Sequence, residues 1–189
     1  MKELEQRIIK DGKILDNDIL KVGSFLNHQV DTKLLVDMAK ETKKLFNEEI
    51  TKVLTLEASG IAFACMVAAE YGVPFVFAKK SKTTNLSGEL ATAKVHSYTH
   101  NADNIIFVPK EYINKEDKVL IVDDFLANGE ALTGLIEVVE SCGAKVVGCC
   151  VQIEKEYQNG GNTLRNKGYK VVALASIKAM TSNIIQFNE

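Results

Sequence analysis

The sequence predicts an α/β fold: an open, mostly parallel sheet with helices on both faces, formed as a single domain over residues 1–189. Three observations predict it. Short apolar runs rich in β-branched residues alternate with longer stretches of helical spacing. Residues 52–78 read as strand, helix, strand, a unit whose crossover makes the two strands parallel. A chain of 189 residues, 46% hydrophobic and 25% charged, is the size and composition of one globular domain.

The elements follow in order. Residues 2–11 read as a short amphipathic helix. Residues 31–49 read as a longer one, with Leu34, Leu35, Met38, Leu45 and Phe46 near helical spacing. Lys52 to Leu56 is a strand, Glu57-Ala58-Ser59-Gly60 a turn, and Ile61 to Tyr71 a nearly all-apolar helix stopped by Gly72. Val73 to Ala78 is the next strand. Residues 79–101 break the pattern with Lys, Ser, Thr and Asn around Gly88, and are expected to form a mobile hairpin or lid. Ile105 to Val108 and Val119 to Val122 are further strands. Thr133 to Cys142 is a helix ended by Gly143, Ala144 to Ile153 a strand, Asn162 to Lys167 a helical turn and Val171 to Ala175 a last strand. Asn159-Gly160-Gly161-Asn162 reads as a plain loop. There is no internal repeat.

Bulk properties exclude several classes. Lys plus Arg is 23 and Asp plus Glu is 25, so a net charge of −2 gives no reason to expect nucleic acid or an anionic membrane as partner. Cys65, Cys142, Cys149 and Cys150 form no Cys-x-x-Cys pair and lie in or beside apolar stretches, as reduced cysteines of a cytoplasmic protein do. The start of the chain alternates in charge and lacks the apolar core of a signal peptide. No apolar run reaches the roughly 20 residues that span a bilayer. His28, His96 and His100 show no ligand spacing and read as structural or surface residues, and no zinc signature is present.

The most informative run is Val119 to Ala131. Four aliphatic residues are followed by Asp123 and Asp124, then by Phe125-Leu126-Ala127-Asn128-Gly129-Glu130-Ala131 leading into a helix. Adjacent carboxylates repel each other and lose solvation, so they are tolerated where a ligand compensates them. The small residues of Ala127 to Ala131 let backbone approach an anion, and Gly129 permits positive φ. A helix amino terminus beyond them favours phosphate. Ligands of open α/β sheets bind at strand carboxyl ends, and the turn Glu57–Gly60 stands at another such end, where it could hold a second anion.

This run resembles the 5-phosphoribosyl 1-diphosphate (PRPP) signature of the type I phosphoribosyltransferases, and on it the chain is identified as a member of that family. The resemblance implies the type I phosphoribosyltransferase fold, with a small hood made mainly by residues 1–35 and the carboxyl-terminal part, and a lid over about 79–101. It implies that Asp123 and Asp124 are the catalytic acids, fixing the ribose hydroxyls and stabilising the positive charge of the transition state. Ala127, Asn128, Gly129, Glu130 and Ala131 would hold the 5-phosphate. Asn128 stands where the family commonly has Thr, and Glu130 and Ala131 also depart from its small-hydroxyl pattern, so backbone contacts should dominate. Ala58, Ser59 and Gly60 would bind pyrophosphate, in a loop that often carries a non-proline cis peptide. Lys79 and Lys80 would join them, although either lysine alone also reads as part of a solvated loop. Ser97-Tyr98, late in the lid segment, is assigned no catalytic role.

The resemblance extends over the whole chain. Leu20 to Gln29, Ile121 to Gly129 and Ile153-Glu154-Lys155 are similar to the bacterial members of the family that use xanthine. It implies transfer of the 5-phosphoribosyl group from PRPP to N9 of xanthine, giving XMP and pyrophosphate in purine salvage. Leu20, Asn27 and Lys155 would contact xanthine: an apolar face for a flat ring, a donor–acceptor amide and a cation for ring oxygens. Without the resemblance the same three residues also read as a core Leu, a surface Asn and a surface Lys. Mg²⁺ would come with the diphosphate, with no directly bound metal and no organic cofactor, and the enzyme would be a homodimer. The alternatives are another purine base, or a regulator of the same fold that senses PRPP without chemistry.

Overall fold

The computed structural model describes residues 1–15, 18–80, 88–97, 102–181 and 184–188. In chain order the elements are α1 (Lys2–Asp11), β1 (Lys13–Leu15), β2 (Ile19–Lys21), α2 (Thr32–Leu45), β3 (Lys52–Leu56), α3 (Ile61–Tyr71), β4 (Phe75–Ala78), β5 (Leu90–Ser97), β6 (Ala102–Pro109), β7 (Lys118–Leu126), α4 (Glu130–Ser141), β8 (Lys145–Lys155), α5 (Gly160–Asn166), β9 (Val171–Met180) and β10 (Ile185–Phe187). The main sheet runs in the order β10-β9-β8-β7-β3-β4. Its four pairings apart from β10–β9 are parallel, as expected, and β10 closes one edge antiparallel to β9.

Alternation along the strands divides the core between two faces. Val53, Leu120 and Val122 point to the face covered by α1, α2 and α3, where Leu4, Ile8, Leu34, Met38 and Phe63 are buried. Leu54, Val119 and Ile121 point to the opposite face, against Leu132, Leu135 and Val139 of α4. The chain leaves β3 toward β4 on one side, then returns to β7 on the other. The strand order therefore reverses between β3 and β7, the place where open α/β sheets leave a crevice for ligands.

Several elements differ from the sequence expectation. The helix expected over 31–49 starts at Thr32, capped by Asp31, whose carboxylate accepts from Leu34 N–H at 3.2 Å, and stops at Leu45. Phe46 turns into the core instead, its carbonyl accepting from the Tyr71 hydroxyl at 2.5 Å. Ile105–Val108 lies in β6, which does not join the main sheet but pairs with β5 as a two-stranded antiparallel ribbon packed on α4. The ribbon takes in Leu90–Ser97 of the segment expected to form a hairpin or lid over 79–101, and residues 81–87 and 98–101 of that segment lie outside the described residues. The hairpin β1–β2 and strand β10 had no sequence signal strong enough to predict them. All four cysteines are free, with Cys149 and Cys150 buried. Among the described residues no helix is long and apolar enough to cross a membrane.

Candidate active site

The site is built at the reversal of strand order. β7 does not stop at Val122: β8 runs beside it as far as Glu154, so Asp123 and Asp124 sit inside the ladder rather than past its end. Asp123 Oδ1 accepts from the Asp124 N–H at 3.0 Å, and Asp124 Oδ1 accepts from the Phe125 N–H at 3.0 Å. Asp123 is 6% exposed. Burial first, and the neighbouring Asp124 carboxylate second, hold its pKa well above the ordinary 3.8, with Lys80 pulling weakly the other way.

The loop after β7 turns at Gly129, whose φ of 86° is left-handed. Helix α4 begins at Glu130, three residues before the predicted start, because the Gly129 carbonyl already accepts from both the N–H and the hydroxyl of Thr133 at 2.9 Å. Glu130 and Ala131 therefore form the first helical turn, whose N–H groups have no partner within the helix. Ala127, Asn128, Gly129, Glu130 and Ala131 line a cavity of about 790 Å³ together with Lys80, Leu20 and Lys155.

Behind this loop lies a contact absent from the sequence reading. The Gly160 N–H donates to the Ala127 carbonyl at 3.0 Å. A Cβ on Gly160 would stand 2.3 Å from that oxygen and 2.5 Å from the backbone of Asn128 and Gly129. The segment read as a plain loop is thus the floor of the turn, and its only signal was the Gly-Gly doublet ahead of a helix.

The turn after β3 closes the crevice from the other side. The Glu57–Ala58 peptide bond is cis. Gly60 packs so tightly that a Cβ there would fall 2.1 Å from Thr55 Oγ1 and 2.9 Å from Asp123 Oδ1, so the turn and the acid pair are in contact. The Lys80 N–H donates to Glu57 Oε1 at 2.7 Å, tying the start of the following segment to this turn. Lys79 does not line the cavity, and its ammonium lies 5.7 Å over the Phe77 ring.

The three residues predicted for the base are not all in one place. Leu20 and Lys155 line the large cavity. Asn27 lines a smaller neighbouring hollow of about 300 Å³ with His28, Ala58 and Ser59. The Asn27 Nδ2 donates to Asp124 Oδ2 at 3.3 Å. Asp18, which the sequence reading passed over, accepts from Lys155, Tyr157 and Gln158 together.

Among the described residues no group of three or more His, Cys, Asp or Glu side chains converges to hold a metal. The donor set fits a divalent ion that brings most of its ligands on a diphosphate, and Mg²⁺ binds in that way through phosphates and one or two carboxylates.

Comparison with known proteins decides the family. The phosphoribosyl transferase domain model matches residues 22–187. The chain belongs to the phosphoribosyltransferase family. Among similar phosphoribosyltransferases, a xanthine phosphoribosyltransferase of Ruminiclostridium cellulolyticum is 48% identical over 190 residues, covering 100% of both chains. One of Clostridium novyi is 48% identical over 188 residues, covering 99% of each. In fold, the adenine phosphoribosyltransferase of Leishmania tarentolae superposes with a TM-score of 0.76 at 23% identity, over 95% of this chain and 90% of that one.

Proposed function

We propose that this phosphoribosyltransferase converts PRPP and xanthine to XMP and pyrophosphate, a pentosyl transfer of purine salvage. The observation that carries the reading is similarity over the full length, hood segment included, to relatives that are xanthine phosphoribosyltransferases. The phosphate loop on the cavity wall, and the acid pair in the strand that runs straight into it, support the PRPP half of the reaction.

The C1 carbon of the ribose loses its bond to the diphosphate oxygen, which leaves with the electron pair. N9 of the purine forms the new bond and gives up its proton. Asp123 and Asp124 hold the 2- and 3-hydroxyls and face the positive charge that grows on the ring. The N–H groups of Ala127 to Ala131 hold the 5-phosphate at the start of α4. Ala58, Ser59 and Gly60 take the diphosphate with Lys80, and Lys79 joins from the edge. Leu20 stacks on the base while Asn27 and Lys155 meet its polar edge. Mg²⁺ would enter with the diphosphate held by Ala58, Ser59, Gly60 and Lys80, and would supply charge neutralisation for the leaving group. The hood is α1, the β1–β2 hairpin and residues 22–31, packed against β9 and β10. The enzyme works in the cytoplasm as a homodimer.

The test is purified protein with PRPP, Mg²⁺ and each purine in turn, with the nucleotide products identified. XMP as the preferred product is the expected result. Preference for another purine overturns the base assignment, and binding of PRPP without any nucleotide formed overturns the enzyme reading in favour of a sensor.

A further inference from the structure

Asp18 stands at the tip of the hood hairpin between β1 and β2, with a φ of 64°, one of two non-glycine residues of positive φ among those described. Every contact it makes across the cavity goes to one short segment after β8. The Lys155 ammonium donates to its backbone carbonyl and lies 3.6 Å from Oδ2. The Tyr157 hydroxyl donates to Oδ1 at 2.6 Å, and Gln158 Nε2 donates to Oδ2 at 2.6 Å. Burial first, then the hydrogen bond and charge of Asp18, push the Tyr157 pKa up and keep its hydroxyl a donor.

We infer that Asp18 is a positioning residue of the purine site, a clasp that sets both the distance between Leu20 and Lys155 and the direction of the Lys155 donors. The inference rests on the proposed purine site. Leu20 is two residues from Asp18 on the hairpin, and Lys155 is on the opposite bank; both line the same cavity. A flat base between them needs a slot of fixed width. A two-stranded ribbon of three-residue strands does not hold such a width alone. The clasp fastens it at a point adjoining the slot. It also orients the ammonium: one of the three N–H donors goes to the Asp18 carbonyl, which leaves two for a ligand. The paired carboxylate limits the net positive charge at the base edge, so recognition depends on donor geometry rather than charge alone.

The variants must respect the backbone. Gly and Asn both accept a left-handed φ, whereas Ala does not. Asp18→Gly removes both carboxylate acceptors, and Asp18→Asn keeps one oxygen and removes the charge. With wild-type-like circular dichroism, Asp18→Gly is expected to raise KM for xanthine about tenfold, the loss of one to two hydrogen bonds to a charged group, with KM for PRPP unchanged. Asp18→Asn is expected to recover part of that loss. In a Lys155→Met background Asp18→Gly should cost much less than it does alone, because residues acting through one another are not additive. An unchanged KM for xanthine in Asp18→Gly, an equal rise for both substrates, or full additivity with Lys155→Met overturns the clasp. If the wild type prefers a different purine, the xanthine reading fails instead, and the KM split is then measured on the purine it converts.

Discussion

The two walls of the cavity are built by different means. On one, residues 123–131 form a single continuous segment: a strand locked in a ladder, a left-handed glycine and the first turn of a helix. The groups proposed to bind anions there are backbone N–H, placed by secondary structure. On the other, Leu20 and Lys155 come from two elements, with Asn27 in the smaller hollow, and contacts with sequence separations of 97 and 137 residues tie Asn27 to Asp124 and Lys155 to Asp18. On the proposed reading the first wall binds PRPP, the substrate that phosphoribosyltransferases have in common. The second can change its preference through single side chains while the first stays intact. On the proposed reading, recognition of the donor and choice of the acceptor are thereby separated between the two walls.

The largest expected effect lies on the first wall. Asp123→Asn and Asp124→Asn should each lower kcat by about 10²–10³ with the fold retained, since each removes a carboxylate facing the charge of the transition state. Stopped assays at saturating PRPP and xanthine measure it. Near-normal turnover in both variants would take the acids out of the chemistry and leave the comparison without its catalytic side.

Next come the glycines that let backbone serve as ligand. Gly160→Ala drives a Cβ against the Ala127 carbonyl, and Gly129→Val puts a β-branched residue at a φ of 86°. Overpacking of this kind costs about 1–3 kcal/mol, a tenfold to hundredfold weakening if it falls on PRPP. Separate titrations of PRPP and purine should show the loss on PRPP alone. An equal loss on both would mean that the two walls are mechanically one.

How far the sequence can be read follows the same division. The strand–acid–glycine–helix run was legible because it is contiguous and each residue type has a local reason to be there. So were β3, α3 and the parallel core, where period and glycine stops agree. The hidden parts are those set by distant contacts. Nothing near Gly160 announces that it lies under Ala127, and nothing near Asp18 announces Tyr157 and Gln158. The end of α2 was misplaced because Phe46 is helical by spacing but is drawn into the core by tertiary packing. The apolar run Ile105 to Val108 shows that a strand exists but not which neighbour it pairs with, and β6 pairs outside the main sheet.

On the second wall, Lys155→Met should narrow the preference for xanthine over hypoxanthine. Xanthine carries an extra oxygen at C2, and a buried donor left without it costs about 1–3 kcal/mol. The ratio of kcat/KM values from mixed-purine competition should fall by about tenfold, with KM for PRPP unchanged. Equal loss on every base would show that Lys155 is not the selector.

The smallest effect is on stability, and it separates the walls by sign. Asp123 is an acid whose pKa in the folded protein is raised well above 3.8, by burial first and by Asp124 second. From about pH 4 upward the folded state therefore holds a proton that the unfolded chain has released. Stability is fully present below the unfolded value and is lost as pH rises through the folded pKa. Asn is neutral throughout and keeps the oxygen that accepts from the Asp124 N–H. Asp123→Asn should thus flatten the fall in Tm as pH rises above about 4, and melt above the wild type at the upper end. About 1 kcal/mol corresponds to roughly 2–4 °C in a chain of this size. Asp18→Asn, on the other wall, relieves no buried charge and should not raise Tm. Scanning calorimetry of both variants across the pH range measures the contrast. An Asp123→Asn protein that melts below the wild type at every pH would show that the acid pair contributes to folding, and that the first wall does not trade stability for catalysis.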